Sequence, residues 1–358
     1  MVGRMWYFTE FRLVRKIIPA LLFAAALSGP GDLGGRKVAV QQLLDSARAP
    51  GCAVIPAVGD WEYVGSAIEP GQEGEFDHYL WGGFGGSAIR FADEVMLYYQ
   101  GAYDYSEVQE SVSYRSIGLA TSSDGVNFRK DPASPVLEWT PQSGEEEGVT
   151  SVAVALDPDD RMIAFYGANT QIGPISVNAD GRWASSVDGR SFVDRGIALD
   201  HADPAVFGSG DELFPVAATY HRSDWFVYYI PNGKRSGELG VAWGASPDAL
   251  HDTARVQAGG EAVRAWGMQS AVQLCNDTYA LFLNDVRSRT MSVRVTDLRT
   301  PNVASEPLES YRFETTETRP EFVQGAVLLD RDAGYWYLLY RGGDRSRYDI
   351  RRADYETW

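Results

Sequence analysis

The chain has 358 residues, 44% hydrophobic, 23% charged and 12% aromatic, the make-up of a folded protein rather than a disordered or fibrous one. Its formal net charge of −17 argues against nucleic acid as a partner, because that recognition rests on neutralising phosphates with Lys and Arg. The 37 Gly and the many aromatics favour strands and tight turns over helices.

The chain opens with Arg4, Arg12, Arg15 and Lys16, then an apolar run of 11 residues from Ile17 to Leu27, then small residues and Pro30. This order reads as an export signal over residues 1–28, with Ala26-Leu27-Ser28 as the cleavage site. Eleven apolar residues are too few to span a bilayer, so no membrane partner is expected beyond the export signal. A start at Met5 is the competing reading of this stretch. The expected location is secreted or periplasmic, and the remainder without the signal carries a net charge of −20. Residues 29–60 form an extension in which 38–47 suit one short helix, and residues 52–75 are expected to supply a strand. Cys52 and Cys275 either form a disulfide, which export permits, or stay as buried thiols. The four His are scattered and no Cys/His metal spacing occurs, so neither a metal site nor a cofactor is expected. A structural calcium on Asp157 to Asp160 is the one cation reading, with turn chemistry preferred there.

From residue 87 onward one pattern recurs five times: an apolar strand, a short polar turn and an aromatic strand ending at Gly or Asn. The copies are SAIRFADEVMLYYQG from Ser87, SVAVALDPDDRMIAFYG from Ser151, PVAATYHRSDWFVYYIPNG from Pro215, SAVQLCNDTYALFLND from Ser270 and GAVLLDRDAGYWYLLYRG from Gly325. Their ends at Gly101, Gly167, Gly233, Asn284 and Gly342 lie 66, 66, 51 and 58 residues apart, room for four short strands with loops. Continuous apolar runs suit strands buried on both faces, the inner strands of a propeller blade. A second repeat, Ser122-Ser123-Asp124-Gly125, Ser186-Val187-Asp188-Gly189 and Ser246-Pro247-Asp248-Ala249, marks a turn between the third and outer strands. The expected architecture is an all-β, five-bladed β-propeller over residues 61–358. Each blade has four antiparallel strands around a central channel, and the strand from residues 52–75 closes the ring.

The segments GEFDHYLWGG (74–83), MLYYQG, SIGLATSSDGVNF (116–128), HADPAVF (201–207) and WYLLYRGG (336–343) resemble the five-bladed propeller glycosidases. These are glycoside hydrolase families 43, 32 and 68 and the related family 130 phosphorylases, and the resemblance spans roughly residues 60–354. The Asn-Asp-Pro-Asn motif of the sucrose-type enzymes is absent, and their Arg-Asp-Pro stands here as Ala202-Asp203-Pro204. Their Glu-Cys acid motif has no exact match here.

In a propeller, the residues just before each inner strand and the loops joining second to third strands share one face, the channel mouth. The inner hairpin turns lie on the other face, so Asp93, Glu94, Asp157, Asp159, Asp160, His221, Arg222, Asp224, Asp330 and Asp332 are expected to be solvated turn residues. Glycoside cleavage needs one carboxylic acid to protonate the leaving oxygen and one carboxylate to attack the sugar or activate water. Carried over from the resembled families, Asp77 is the nucleophile or base and Glu212 the acid. Asp203 is the orienting residue, with Glu147 its rival. The expected substrate contacts are His78, Trp81, Trp266, Gln269, Arg319 and Gln324. The resemblance thus implies a glycoside hydrolase acting on an oligo- or polysaccharide. Two alternatives stand beside it. One is a family 130-like phosphorylase, for which Lys234, Arg235, Arg287, Arg289, Arg345 and Arg347 would hold phosphate. The other is a propeller that only binds sugar or protein.

Overall fold

The computed structural model describes residues 41–80, 86–102, 115–138, 146–172, 175–232, 237–265, 267–285, 290–312, 325–341 and 347–358. Residues 1–28, the expected export signal, lie outside them. Among them no helix is long and apolar enough to cross a membrane. Residues 41–47 are helical, within the stretch whose sequence suits a helix. Nearly everything else is β.

Five small antiparallel sheets form five blades. Blade 1 holds β2 (Tyr79–Leu80), β3 (Ser87–Phe91), β4 (Glu94–Ala102), β5 (Arg115–Ser122) and β6 (Arg129–Lys130). In this blade β2 and β3 both pair with β4. Blade 2 runs through β7 (Glu146–Leu156), β8 (Met162–Ile172), β9 (Ile175–Ser186) and β10 (Val193–Leu199). Blade 3 follows with β11 (Glu212–His221), β12 (Asp224–Asn232), β13 (Gly240–Gly244) and β14 (Asp252–Arg255). A two-stranded ribbon, β15 (Gln257–Ala258) and β16 (Glu261–Ala262), leads to blade 4: β17 (Gly267–Cys275), β18 (Thr278–Asp285), β19 (Thr290–Asp297) and β20 (Glu309–Tyr311). Blade 5 holds β21 (Gly325–Asp330), β22 (Tyr335–Arg341) and β23 (Tyr348–Asp354), and its outer strand is β1 (Glu62–Ile68) from the other end of the chain. Pairing of β1 with β23 closes the ring, so the outer edge of β23 is not left unpaired. Cys52 and Cys275 are joined in a disulfide, Cα to Cα 4.8 Å, which ties the N-terminal segment to the end of β17.

The apolar runs are continuous because each second strand is pressed between two neighbouring blades. On β4, Met96 and Tyr98 pack with blade 2, and Leu97 and Tyr99 pack with blade 5. On β18, Leu281 and Leu283 face blade 3 while Ala280 and Phe282 face blade 5. Polar stitches join the inner strands. Ser87 Oγ accepts from Val154 N of the next blade at 3.0 Å, and Ser270 Oγ accepts from Val327 N at 2.9 Å. Ser87, Val154, Ala217, Ser270 and Val327 all line a channel cavity of about 250 Å3, walled mainly by small side chains.

Turn chemistry repeats from blade to blade. The inner hairpins turn through a left-handed residue at Ala92, Asp160, Arg222, Asn276 and Gly334. The three Ser-x-Asp turns share one geometry: the Ser hydroxyl donates to the Asp carboxylate at 2.8, 2.8 and 2.7 Å in Ser122–Asp124, Ser186–Asp188 and Ser246–Asp248.

Candidate active site at the channel mouth

The inner strands begin at the mouth, which fixes what their first residues can reach. Glu212 opens β11 opposite Asn232, the last residue of β12. This pairing sets the Asn232 amide beside the carboxylate, and its Nδ2 donates to Glu212 Oε2 at 2.5 Å. Glu212 is half-buried and its neighbour Asp211 is buried. Glu147 stands on β7, the inner strand of the adjoining blade, opposite Thr170, and its side chain lies outside the described residues.

Asp77 precedes β2 and is buried. Its Oδ2 accepts from the Tyr99 hydroxyl at 2.8 Å and lies 2.7 Å from Lys130 Nζ on the outermost strand of blade 1. Gly101 lies directly beneath: a Cβ there would come within 2.8 Å of Asp77 Cβ, so the absence of a side chain admits this packing. Burial and the Asp77 carboxylate push the Tyr99 hydroxyl pKa far up. His78 is half-buried, with its ring edge-on to Tyr79 at 4.6 Å and a buried Nδ1 that has no hydrogen-bond partner.

Asp203 is exposed and spends its Oδ1 on the backbone of its own turn, accepting from Ala205 N at 2.8 Å. Its segment contributes a different group. His201 Nδ1 lies 2.6 Å from Asp180 Oδ1, and Asp180, Asp200 and His201 bring ligand-type atoms within 4.8 Å of one another. The 2.6 Å contact is that of a hydrogen-bonded pair. Sequence reading missed this trio because 20 residues separate its members. The β9–β10 register would have found it: Gly181 pairs with Leu199, so the next step outward sets Asp180 beside Asp200. His201 O also accepts from Gly210 N at 2.7 Å, which fastens this group to the approach to Glu212.

A second missed carboxylate is Glu238, close to Arg255 at 3.7 Å and Arg264 at 3.5 Å. Trp81, Trp266, Arg319 and Gln324 lie outside the described residues, as does the side chain of Gln269. Of the six loop cations considered for phosphate, only Arg347 is described, and its Nε is 3.0 Å from Asp349.

Solved structures share this architecture. A putative glycoside hydrolase from Parabacteroides distasonis superposes with a TM-score of 0.59 at 16% identity, covering 84% of this chain and 98% of its own. A family 117 glycoside hydrolase from Zobellia galactanivorans gives 0.59 at 10% identity, over 82% and 90% of the two chains. A β-1,2-mannobiose phosphorylase from Listeria innocua, solved with β-1,2-mannobiose, gives 0.55 at 13%, over 81% and 94%. At these identities the likeness is one of fold: this is the five-bladed propeller that those enzymes use. The chain matches no protein-family model and no curated protein.

Proposed function

We propose that the protein is an exported glycoside hydrolase, cleaving an oligo- or polysaccharide at the channel mouth. The observation that carries this reading is Glu212 at the head of β11, half-buried and oriented through Oε2 by the Asn232 amide. A general acid needs a fixed carboxyl group at the rim of a concave site, partly withdrawn from water. Glu147, at the head of the neighbouring inner strand, is the partner carboxylate in this reading. The Cys52–Cys275 disulfide supports export, since such bonds persist in oxidising compartments.

A second reading makes Asp77 the attacking carboxylate, favoured by its place immediately before β2 at the blade 1 rim. The Lys130 and Tyr99 bonds instead suit an anchor for the 70–78 segment. The deciding experiment is reducing-sugar release from a panel of glycans, with and without phosphate, for wild type, Glu212→Gln, Glu147→Gln and Asp77→Asn. Release without phosphate that collapses in Glu212→Gln and Glu147→Gln is the expected result. Collapse in Asp77→Asn with a retained fold, while Glu147→Gln stays active, moves the attacking role to Asp77. Phosphate-dependent release makes the enzyme a phosphorylase. No release from any glycan by folded protein sinks the catalytic reading.

A further inference from the structure

The blade interfaces on the turn face are not all filled alike. Between blades 5 and 1, the Tyr337 hydroxyl reaches across to Asp124 O at 3.1 Å in the Ser-x-Asp turn. Between blades 1 and 2, Tyr98 does the same to Gly189 O at 3.0 Å. Each ring plugs the groove under the neighbouring turn. Blade 2 has one tyrosine on its second strand, Tyr166, and it donates to Asp194 of its own blade at 2.7 Å. The turn at Ser246 to Ala249 therefore receives no such plug from β8, and an open cavity of about 460 Å3 stands there between blades 2 and 3. It is larger than the channel cavity and falls in the size range of small-molecule sites.

Its lining is aromatic and hydrogen-bonding together. Trp183 and Tyr220, both half-buried, and buried Trp225 form the aromatic part, with Tyr220 and Trp225 edge-to-face at 5.3 Å. Arg161 is exposed and sits between Asp157 at 2.7 Å and exposed Asp159 at 3.3 Å. Exposed Arg195, on the edge strand β10, donates through Nε to Ser185 Oγ at 3.0 Å. Two Asp and two Arg leave the lining without net charge, although the chain as a whole is strongly acidic. A sugar ring has an apolar C–H face and a rim of hydroxyls. The face suits an aromatic ring, and planar carboxylates and guanidiniums suit vicinal hydroxyls, which both donate and accept. Charge balance favours a neutral sugar over a uronate.

We infer that the blade 2–3 cavity, lined by Trp183, Tyr220, Asp159 and Arg195, is a binding site for a neutral sugar unit, on the face opposite the channel mouth. It rests on this cavity's own chemistry and holds whether or not the mouth cleaves glycosides. A polysaccharide held here would be retained by the protein without occupying the mouth.

The test is affinity electrophoresis of the full chain through gels containing neutral mannan, xylan, arabinan or galactan, with polygalacturonate as the charged counterpart. At least one neutral polymer should retard wild type and Glu212→Gln equally, and the dissociation constant should rise at least about tenfold in Trp183→Ala. Arg195→Ala, an exposed edge-strand change, should weaken retention several-fold with an unchanged melting temperature, which keeps the test valid should Trp183→Ala fail to fold. No retardation by any neutral polymer overturns the inference. So do retardation by polygalacturonate alone, retention in Arg195→Ala equal to wild type, or loss of retention in Glu212→Gln.

Discussion

The two faces of the propeller take the partners of their carboxylates from different places. On the turn face they are fasteners. Asp330 on blade 5 is paired with Arg90 of blade 1, and Asp277 on blade 4 takes His221 at 2.7 Å and Arg222 at 2.7 Å from blade 3. Asp124 and Asp188 close their own turns through backbone amides at 2.8–3.0 Å. On the mouth face Glu212 is oriented by an amide, Asp180 by an imidazole and the His201 backbone N–H, and Asp77 by Tyr99 and Lys130. Asp277 and Asp330 thus take partners from a neighbouring blade, whereas Asp77 and Glu212 take theirs from within their own blade. The difference separates carboxylates that join blades from those at the mouth, where the proposed site lies.

Substitutions on the two faces should therefore fail differently. The largest effect is expected for Glu212→Gln, a loss of about 10²–10⁴-fold in kcat, the usual contribution of a general acid, with the melting temperature unchanged. A comparable loss of stability in this variant would assign Glu212 to cohesion instead. Next comes Gly189→Ala on the turn face. A Cβ there would sit 2.4 Å from Met162 Sδ and 2.5 Å from the Tyr98 hydroxyl oxygen, at a φ of +69°. The expected cost is about 3 kcal/mol by urea denaturation, with specific activity of the folded fraction kept. Ser270→Ala removes one inter-blade stitch to Val327 N and should cost about 1 kcal/mol in the same assay.

The smallest effect is one of pH. Backbone amides led by Asn127 N hold the Asp124 carboxyl well below the usual carboxylate range, and those of Arg190 and Ser191 lower that of Asp188. A carboxyl depressed in the folded state contributes stability above its unfolded pKa of about 4 and loses it as pH falls further. Melting temperatures measured from pH 6 to pH 3 should thus fall less steeply in the double variant Asp124→Asn, Asp188→Asn than in wild type. Equal slopes would show that acid sensitivity arises elsewhere.

The architecture was legible because it is written five times. Repeated hairpins with apolar runs on both faces cannot bury their surface alone, and a ring of blades is the arrangement that buries it. The Ser-x-Asp turns were legible for the same reason, being local chemistry that needs no distant partner. The Cys52–Cys275 pairing was not, because the two residues are 223 apart and only ring closure brings their Cα atoms together.

The mouth was legible only by strand position. Sequence named Glu212 from its place before an inner strand, and the tertiary structure supplied Asn232, which the β11–β12 register delivers. Asp203 and Asp77 looked alike in sequence, both acids near a strand start. The fold sends one to an exposed turn and buries the other against Tyr99 and Lys130. Sequence by itself determined the blades, their number and their turns, because repetition and local hydrogen bonding act over a few residues. Which carboxylate is clamped, which is left to an amide, and where a groove stays open were decided only when neighbouring blades met, because those partners lie tens to hundreds of residues away.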